Sequence, residues 1–414
     1  MSAVLRAWRP GPEGWDRSAA AHLLRRAGFG ATPEELERAL AEGLDATLER
    51  LFEDRTPPEL DGSIQPLLAA ESLELLQAWW MARIVAGGAP LRERVTLVWH
   101  DLFATSHEKV QDVRLMHQQN ELLRREGLGD FRRLLQGIAR DPAMLVWLDG
   151  RSNRRGHPNE NFAREVLELF ALGPGHYDER DVREAARAFS GWGTEGRSFV
   201  HAPEHHDDGP KTILGHTGCF DGAGALDLIL AHPACARHVA RVLLEAFVVP
   251  APTQVEIDGL AGTLLASDWD VGRTLRVLLR SELFFAPRAR RARIAAPVEC
   301  LAVASRALGA RVPPRTLARR AGAMGQALFR PPSVKGWEGG RAWIHAGHWI
   351  ARHNALVELA ENAAVSCTGA EVLRDVLPED PAPLREAVER LAREPSSEPA
   401  AIALVLTAPE FHLF

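Results

Sequence analysis

Residues 71–87 read ESLELLQAWWMARIVAG and residues 90–106 read PLRERVTLVWHDLFATS. In both, apolar residues recur at intervals of three and four. That spacing gathers them on one face of an α-helix and does not match the two-residue period of a strand. The pattern continues through VQDVRLMHQQNELLRREG (110–127) and DFRRLLQGIARDP (130–142). Helices joined by short polar connections predict a mainly α fold: a large, multi-helix, bundle-like domain.

Upstream, Thr32-Pro33-Glu34-Glu35 reads as a capping box with proline at the first helical position. The GFG before it follows no strand, so its glycines make a turn and not a phosphate loop. Downstream, HPNENFAREVLELFALG (157–173) opens another amphipathic helix, and YDERDVREAARAFSGW (177–192) a further one. There Asp178 is the N-cap, Asp181 lies at the third position and Gly191 stops the helix. Residues 193–222, rich in Gly, His and Asp, interrupt the pattern. A small β-hairpin or ordered loop is expected over about 195–220, with Asp208-Gly209 as a turn dipeptide.

Helical spacing resumes from about 223 to 308, and a helix is expected near 315–329. An irregular loop follows at about 330–343, then helices to the end, with PEDPAP (378–383) and REPSSEPAA (393–401) as loops. The expected organisation is a tail at 1–16, a single domain over 17–354, and C-terminal helices at 355–414 packed on it.

Of the 414 residues, 46% are hydrophobic and 25% charged, which suits a globular chain with an ample core. A net charge of -6 without a basic stripe argues against a nucleic-acid partner. No apolar run approaches the roughly 18 residues of a membrane span. The first residues lack the apolar centre of a signal peptide, so a cytoplasmic protein is expected. Cys219, Cys235, Cys300 and Cys367 are scattered, without a CxxC pair, and read as free thiols.

The skew among polar residues is more informative. The 49 basic residues include only three lysines, Lys109, Lys211 and Lys335, and the chain holds a single tyrosine, Tyr177. A lysine is a compact point charge and an arginine a planar fork, so a surviving lysine marks a place where arginine fails. Asn153, Asn159 and Asn161, half of the chain's asparagines, sit in or just before the 157–173 stretch.

The series AAHLLRRAGFGATPEEL, RVTLVWHDLFATS, LGDFRRLLQGIARDPAML, NENFAREVLELFALGPGHYDERDVREAARAFSGW, HDDGPKTILG and MGQALFRPPSVKGWEGGRAW occurs in one order. It resembles the bacterial family catalogued as domain of unknown function 1800, over about residues 19–354. The resemblance implies a mostly helical protein and no established reaction. It also implies a sulfatase-like partner encoded nearby, and export of many relatives. Relatives often carry a histidine where this chain has Leu102 and a lysine where it has Ala295.

Several groups could carry chemistry. On a helical wheel Asn161, Arg164, Glu165 and Glu168 share one arc with Leu172, opposite Phe162, Val166, Leu169 and Phe170. Two carboxylates a turn apart suit acid–base work or a divalent metal, while Arg164 and Glu168 have the spacing of a plain ion pair. His206 and Asp207, with Lys211 beyond a glycine, offer ligands or a proton relay on a loop; a polar turn is the competing reading. His100 and Asp101 interrupt an apolar helix, where a hydrogen-bonded core histidine is the plainer reading. Lys335 and Trp337 offer a cation and a stacking face in a proline-glycine loop, which a buried tryptophan would also explain.

No GxSxG elbow, GxxxxGK[ST] loop, HExxH helix or EF-hand loop is present. The expectation is an enzyme in which Glu165, Glu168, His206, Asp207 and Lys211 are catalytic and Asn161, Arg164, Lys335 and Trp337 bind substrate. Glu165, Glu168, His206 and Asp207 are the candidate metal ligands, and the reaction would be hydrolysis or transfer on a sugar or ester. The alternative is a non-catalytic binding or assembly protein acting with the sulfatase-like partner. In either case the 195–220 and 330–343 segments should meet the polar face of the 160–172 helix.

Overall fold

The computed structural model describes residues 3–10, 14–364, 367–377 and 382–414. Helices dominate, and their ends follow local chemistry. Thr32 accepts from Glu35 N–H and Glu35 from Thr32 N–H, opening the Pro33–Phe52 helix with Pro33 in its first turn. Asp178 and Asp181 make the same reciprocal cap on the Glu179–Ala188 helix. The Leu73–Ala86 helix stops at Gly87, whose φ is 68°. A Cβ there would fall 1.8 Å from Nη1 of Arg306, so glycine is needed on both conformational and steric grounds.

The apolar faces close two cores. One gathers the 131–139, 161–171, 179–188 and 233–247 helices with Trp99 and Phe103. The other gathers Trp80, Met116 and the 297–308 helix with the C-terminal helices, including Ile402 and Val405. The Pro90–Leu102 helix lies at their seam, since its Trp99 belongs to the first core and its Leu97 to the second.

A buried ionic knot fixes this helix. Glu93, 1% exposed, accepts from Trp80 Nε1 at 2.9 Å, Arg83 Nε at 2.9 Å and Arg124 Nε at 2.8 Å. Burial alone would raise its proton affinity, but Arg124 and Arg83 outweigh burial and hold the carboxyl below its usual value.

Five expectations are refined. The helix at 161 is α-helical only over Asn161–Glu165 and continues as a π-helix over Val166–Ala171. A wider turn rotates later residues away from the 100° wheel, and Leu172 is buried, not on the polar arc. The 195–220 region holds two antiparallel hairpins, Trp192–Glu195 with Ser198–His201 and Lys211–Ile213 with His216–Gly218. Asp208-Gly209 lies between the hairpins and turns neither; Asp207 Oδ1 accepts from Gly209 N–H at 3.0 Å.

The helix expected near 315–329 is Pro314–Ala323, after which Gln326 turns inward and accepts from Val298 N–H at 3.0 Å. REPSSEPAA is a loop only in part, because Glu398 begins the Glu398–Thr407 helix. Residues 378–381 of the expected PEDPAP loop, and 1–2 and 11–13 of the expected tail, lie outside the described residues. Among the described residues no helix is long and apolar enough to cross a membrane. All four cysteines are free.

Candidate functional site

Where the 90–102 helix faces away from the cores, the seam opens into a cleft of about 620 Å³. Arg94, Val98, Asp101 and Leu102 line it from that helix, at the spacing of one helical face. Leu169 of the π-helix and Glu245 of the 233–247 helix contribute from the first core. Arg293, Glu299 and the 334–343 loop, with Lys335, Trp337 and Trp343, close the other side.

Asp101 is the pivot of this wall. Its Oδ1 accepts from Trp337 N–H at 2.9 Å, which ties the helix to the loop. Gly336, with φ 76°, lets the loop pass so close that a Cβ would lie 2.2 Å from Asp101 Oδ1. Burial lifts the Asp101 carboxyl to about 6, against the pull of that N–H. The Glu245 carboxyl is raised too, desolvation outweighing nearby Arg241.

His100, one residue earlier, points into the core. Its Nε2 accepts from Phe329 N–H at 3.2 Å, and it packs against the rings of Trp80, Phe329 and Trp337. Burial lowers its proton affinity to about 3, so it is a neutral core residue. Phe329 itself holds a φ of 62°, a strained backbone beside the site.

Lys335 lies within electrostatic reach of Glu165. The Glu165 carboxyl is raised by desolvation and by Glu168, and its proton affinity is pulled down in turn by Lys335 and Arg164. Lys335 is exposed, and Trp337 is 7% exposed, its ring near His100. Of the rest of the predicted polar face, Arg164 and Glu168 are engaged within the fold. Arg164 binds Glu160 at 2.9 Å and Glu179 at 2.7 Å, and not Glu168. Glu168 accepts from the hydroxyl of Tyr177 at 3.1 Å, while the Asn161 side chain faces solvent.

His206, Asp207 and Lys211 form a separate cluster behind the 179–188 helix. Arg187 grips both oxygens of Asp207, at 2.8 and 3.0 Å, and holds that carboxyl down at about 2. The Lys211 ammonium, 1% exposed, donates to the carbonyls of Asp207 and Gly209. His206 Nδ1 lies 3.0 Å from Ser190 O. Among the described residues no hydrogen bond, ion pair or electrostatic coupling joins Lys211 to Glu165. So the 330–343 loop reaches the 161–172 helix, and Lys211's cluster makes no described contact with it.

Among the described residues, no three His, Cys, Asp or Glu side chains converge to hold a metal ion. Among the described residues Glu165 and Glu168 have no third His, Cys, Asp or Glu beside them, and Asp207 is committed to Arg187. The donor set of the described residues therefore does not fit a metal centre.

Sequence reasoning missed Arg94, Glu245, Arg293 and Glu299. It registered Asp101 only as a companion of His100, although an ionisable residue one turn after Leu97-Val98 on an apolar helix was a usable signal. The single tyrosine, Tyr177, is explained by its bond to Glu168.

A mostly helical protein, two cores meeting at a helix with a carboxyl-bearing cleft along the seam, is thus defined by its own geometry. Residues 22–413 match the family described as Protein of unknown function (DUF1800), and the chain belongs to it. No curated protein and no solved structure matches the chain. Leu102 falls on the wall of the cleft, and Ala295 is fully buried between Ile294 and Ala296 of its lining.

Proposed function

We propose that the seam cleft is the active site of an enzyme performing acid–base chemistry, with Asp101 as the group that gives and takes the proton. The observation that carries this reading is a carboxyl lifted to about 6 in the wall of a large cleft, held by a backbone N–H. Such a group is protonated in part near neutrality, so it can donate to a leaving oxygen and accept from water. Trp337 and Trp343 supply apolar faces of the kind that pack on a sugar ring or an ester's hydrocarbon portion. Hydrolysis or transfer on a sugar or ester is the reaction class that fits. Lys335 stands at the cleft as a substrate-orienting cation, with Glu165 in its electrostatic reach.

The test is a panel of glycoside and ester substrates assayed with Asp101→Asn as the control. Turnover should fall about 10²–10⁴-fold in the variant. It should also fall in the wild type as pH rises through about 6, if protonated Asp101 is the donor. Unchanged turnover in Asp101→Asn sinks the proposal.

A second reading, a binding or assembly protein working with a sulfatase-like partner, draws on the closed network around the 161–172 helix. Arg164, Glu160, Glu179, Glu168 and Tyr177 satisfy one another, as a structural face does. Under it, Glu165→Gln alters capture of the partner and no turnover is found.

A further inference from the structure

The floor of the cleft holds more positive charge than the protein neutralises. Arg94 and Arg293 both line it, and both reach the same carboxylate, Glu299. Nη2 of Arg293 lies 2.6 and 2.5 Å from the two oxygens, and Nη1 of Arg94 pairs with one of them. The same carboxylate also accepts from Ala296 N–H at 3.1 Å. Two guanidiniums thus share one heavily used acid, itself 4% exposed. Among the described residues, Nε of Arg94 and Nε of Arg293 are buried with no hydrogen-bond partner.

Arg94 Nη2 donates to Ala246 O at 3.2 Å, but among the described residues neither guanidinium pairs with a second acid. Arg26, behind the pair, directs its three nitrogens to the carbonyls of Phe247, Phe414 and Val248 at 3.0, 2.8 and 2.6 Å. Burial, with Arg26 as the neighbouring charge, brings Arg94 down to about 9. Burial, with Arg94 as neighbour, brings Arg293 well below its usual value. Asp101 and Glu245 feel neither Arg94 nor Arg293 as a stabilising partner. Buried guanidiniums with orphan donors and half a counter-charge each are costly, and a fork of N–H groups is the geometry that grips an oxyanion.

We infer that the floor between Arg94 and Arg293 is an oxyanion subsite, which seats a carboxylate, phosphate or sulfate group of the molecule bound in the cleft. This rests on the cleft's being a ligand site and not on proton transfer by Asp101. Lys335 and Arg341, at the cleft's edge on either side of Glu338, add two cations to one acid there.

The experiment is thermal unfolding of the full chain in inorganic phosphate, sulfate or acetate against chloride at matched ionic strength, with phosphate titration calorimetry. Phosphate and sulfate stabilise many proteins by exclusion, so the readout is the difference between the wild type and Arg293→Gln. The wild type should gain about 1 °C more than the variant at ten times the Kd of its preferred anion. Affinity should fall about tenfold or more in Arg293→Gln, as for loss of a buried charge contact.

Should that variant fail to fold, Glu299→Gln replaces it. Removing the competing carboxylate should enlarge the oxyanion-dependent gain over wild type. Acetate acting alone indicates a planar carboxylate, and phosphate or sulfate acting alone a tetrahedral group; both support the subsite. Equal melting in all salts for wild type and Glu299→Gln, or an undiminished gain in Arg293→Gln, overturns it. Asp101→Asn should keep the anion response, so loss of turnover and loss of anion binding report on separate claims.

Discussion

Asp101 sits where two requirements conflict, and the conflict is measurable. Its carboxyl is raised to about 6 in the folded chain, from an ordinary value of 3.8. The fold therefore prefers the protonated form, and that contribution is complete below about pH 3.8 and disappears as pH rises through about 6. At pH 8 Asp101→Asn should be more stable than wild type by up to about 3 kcal/mol, since each tenfold gain in proton affinity is worth about 1.4 kcal/mol. Urea unfolding at pH 5 and pH 8 checks this, with the gain expected at the higher pH. A variant that gains stability and loses turnover is the signature of a functional group held at a cost to the fold. Asp141, buried and raised to about 7 while it caps the Pro142–Trp147 helix, titrates in the same direction. Its Asn variant should likewise flatten the decline of melting temperature between pH 4 and 8. Gly336→Ala belongs to the same wall. Its Cβ meets Asp101 Oδ1 and its φ is unfavourable for alanine, so a loss of about 1–3 kcal/mol is expected in urea unfolding.

Elements whose ends are set by neighbours in sequence were legible, as Thr32 with Glu35 and Asp178 with Asp181 illustrate. Each cap is a bargain struck within four residues. The π-helix was not legible, because a wheel assumes 100° per residue and nothing local to VLELFA announces an extra residue per turn. That is why Leu172 falls among polar residues on the wheel and is instead buried in the fold. Tyr177→Phe tests the contact that this geometry creates. Loss of its bond to Glu168 should cost about 1 kcal/mol in chemical denaturation. Glu93 tests the 90–102 helix more severely. Glu93→Gln removes the buried carboxylate that Arg83 and Arg124 share, leaving them only Asp61 and Glu121, and about 3 kcal/mol should be lost. Because its carboxyl is held below the usual value, the wild-type contribution is present above about pH 4.5 and fades as pH falls further.

Across the whole molecule, the cleft draws on residues 94–102, 169, 245, 293–299 and 334–343, which only the closing of two cores brings together. No window of sequence contains enough of it to be read. The three lysines illustrate the limit of composition as a guide. Lys211 and Lys109 both hold carbonyl oxygens, a task for a compact ammonium, and Lys335 alone of the three stands at the cleft. The Trp337 N–H to Asp101 bond has a consequence for thermodynamics as well as for shape. Position of the 334–343 loop and proton occupancy of Asp101 are linked variables, because lifting the loop removes the hydrogen bond that favours the charged carboxyl. Any molecule that displaces the loop on entering must therefore take up or release a fraction of a proton. The heat of its binding will then depend on the ionisation enthalpy of the buffer, so calorimetry in two buffers counts that proton without knowledge of the reaction.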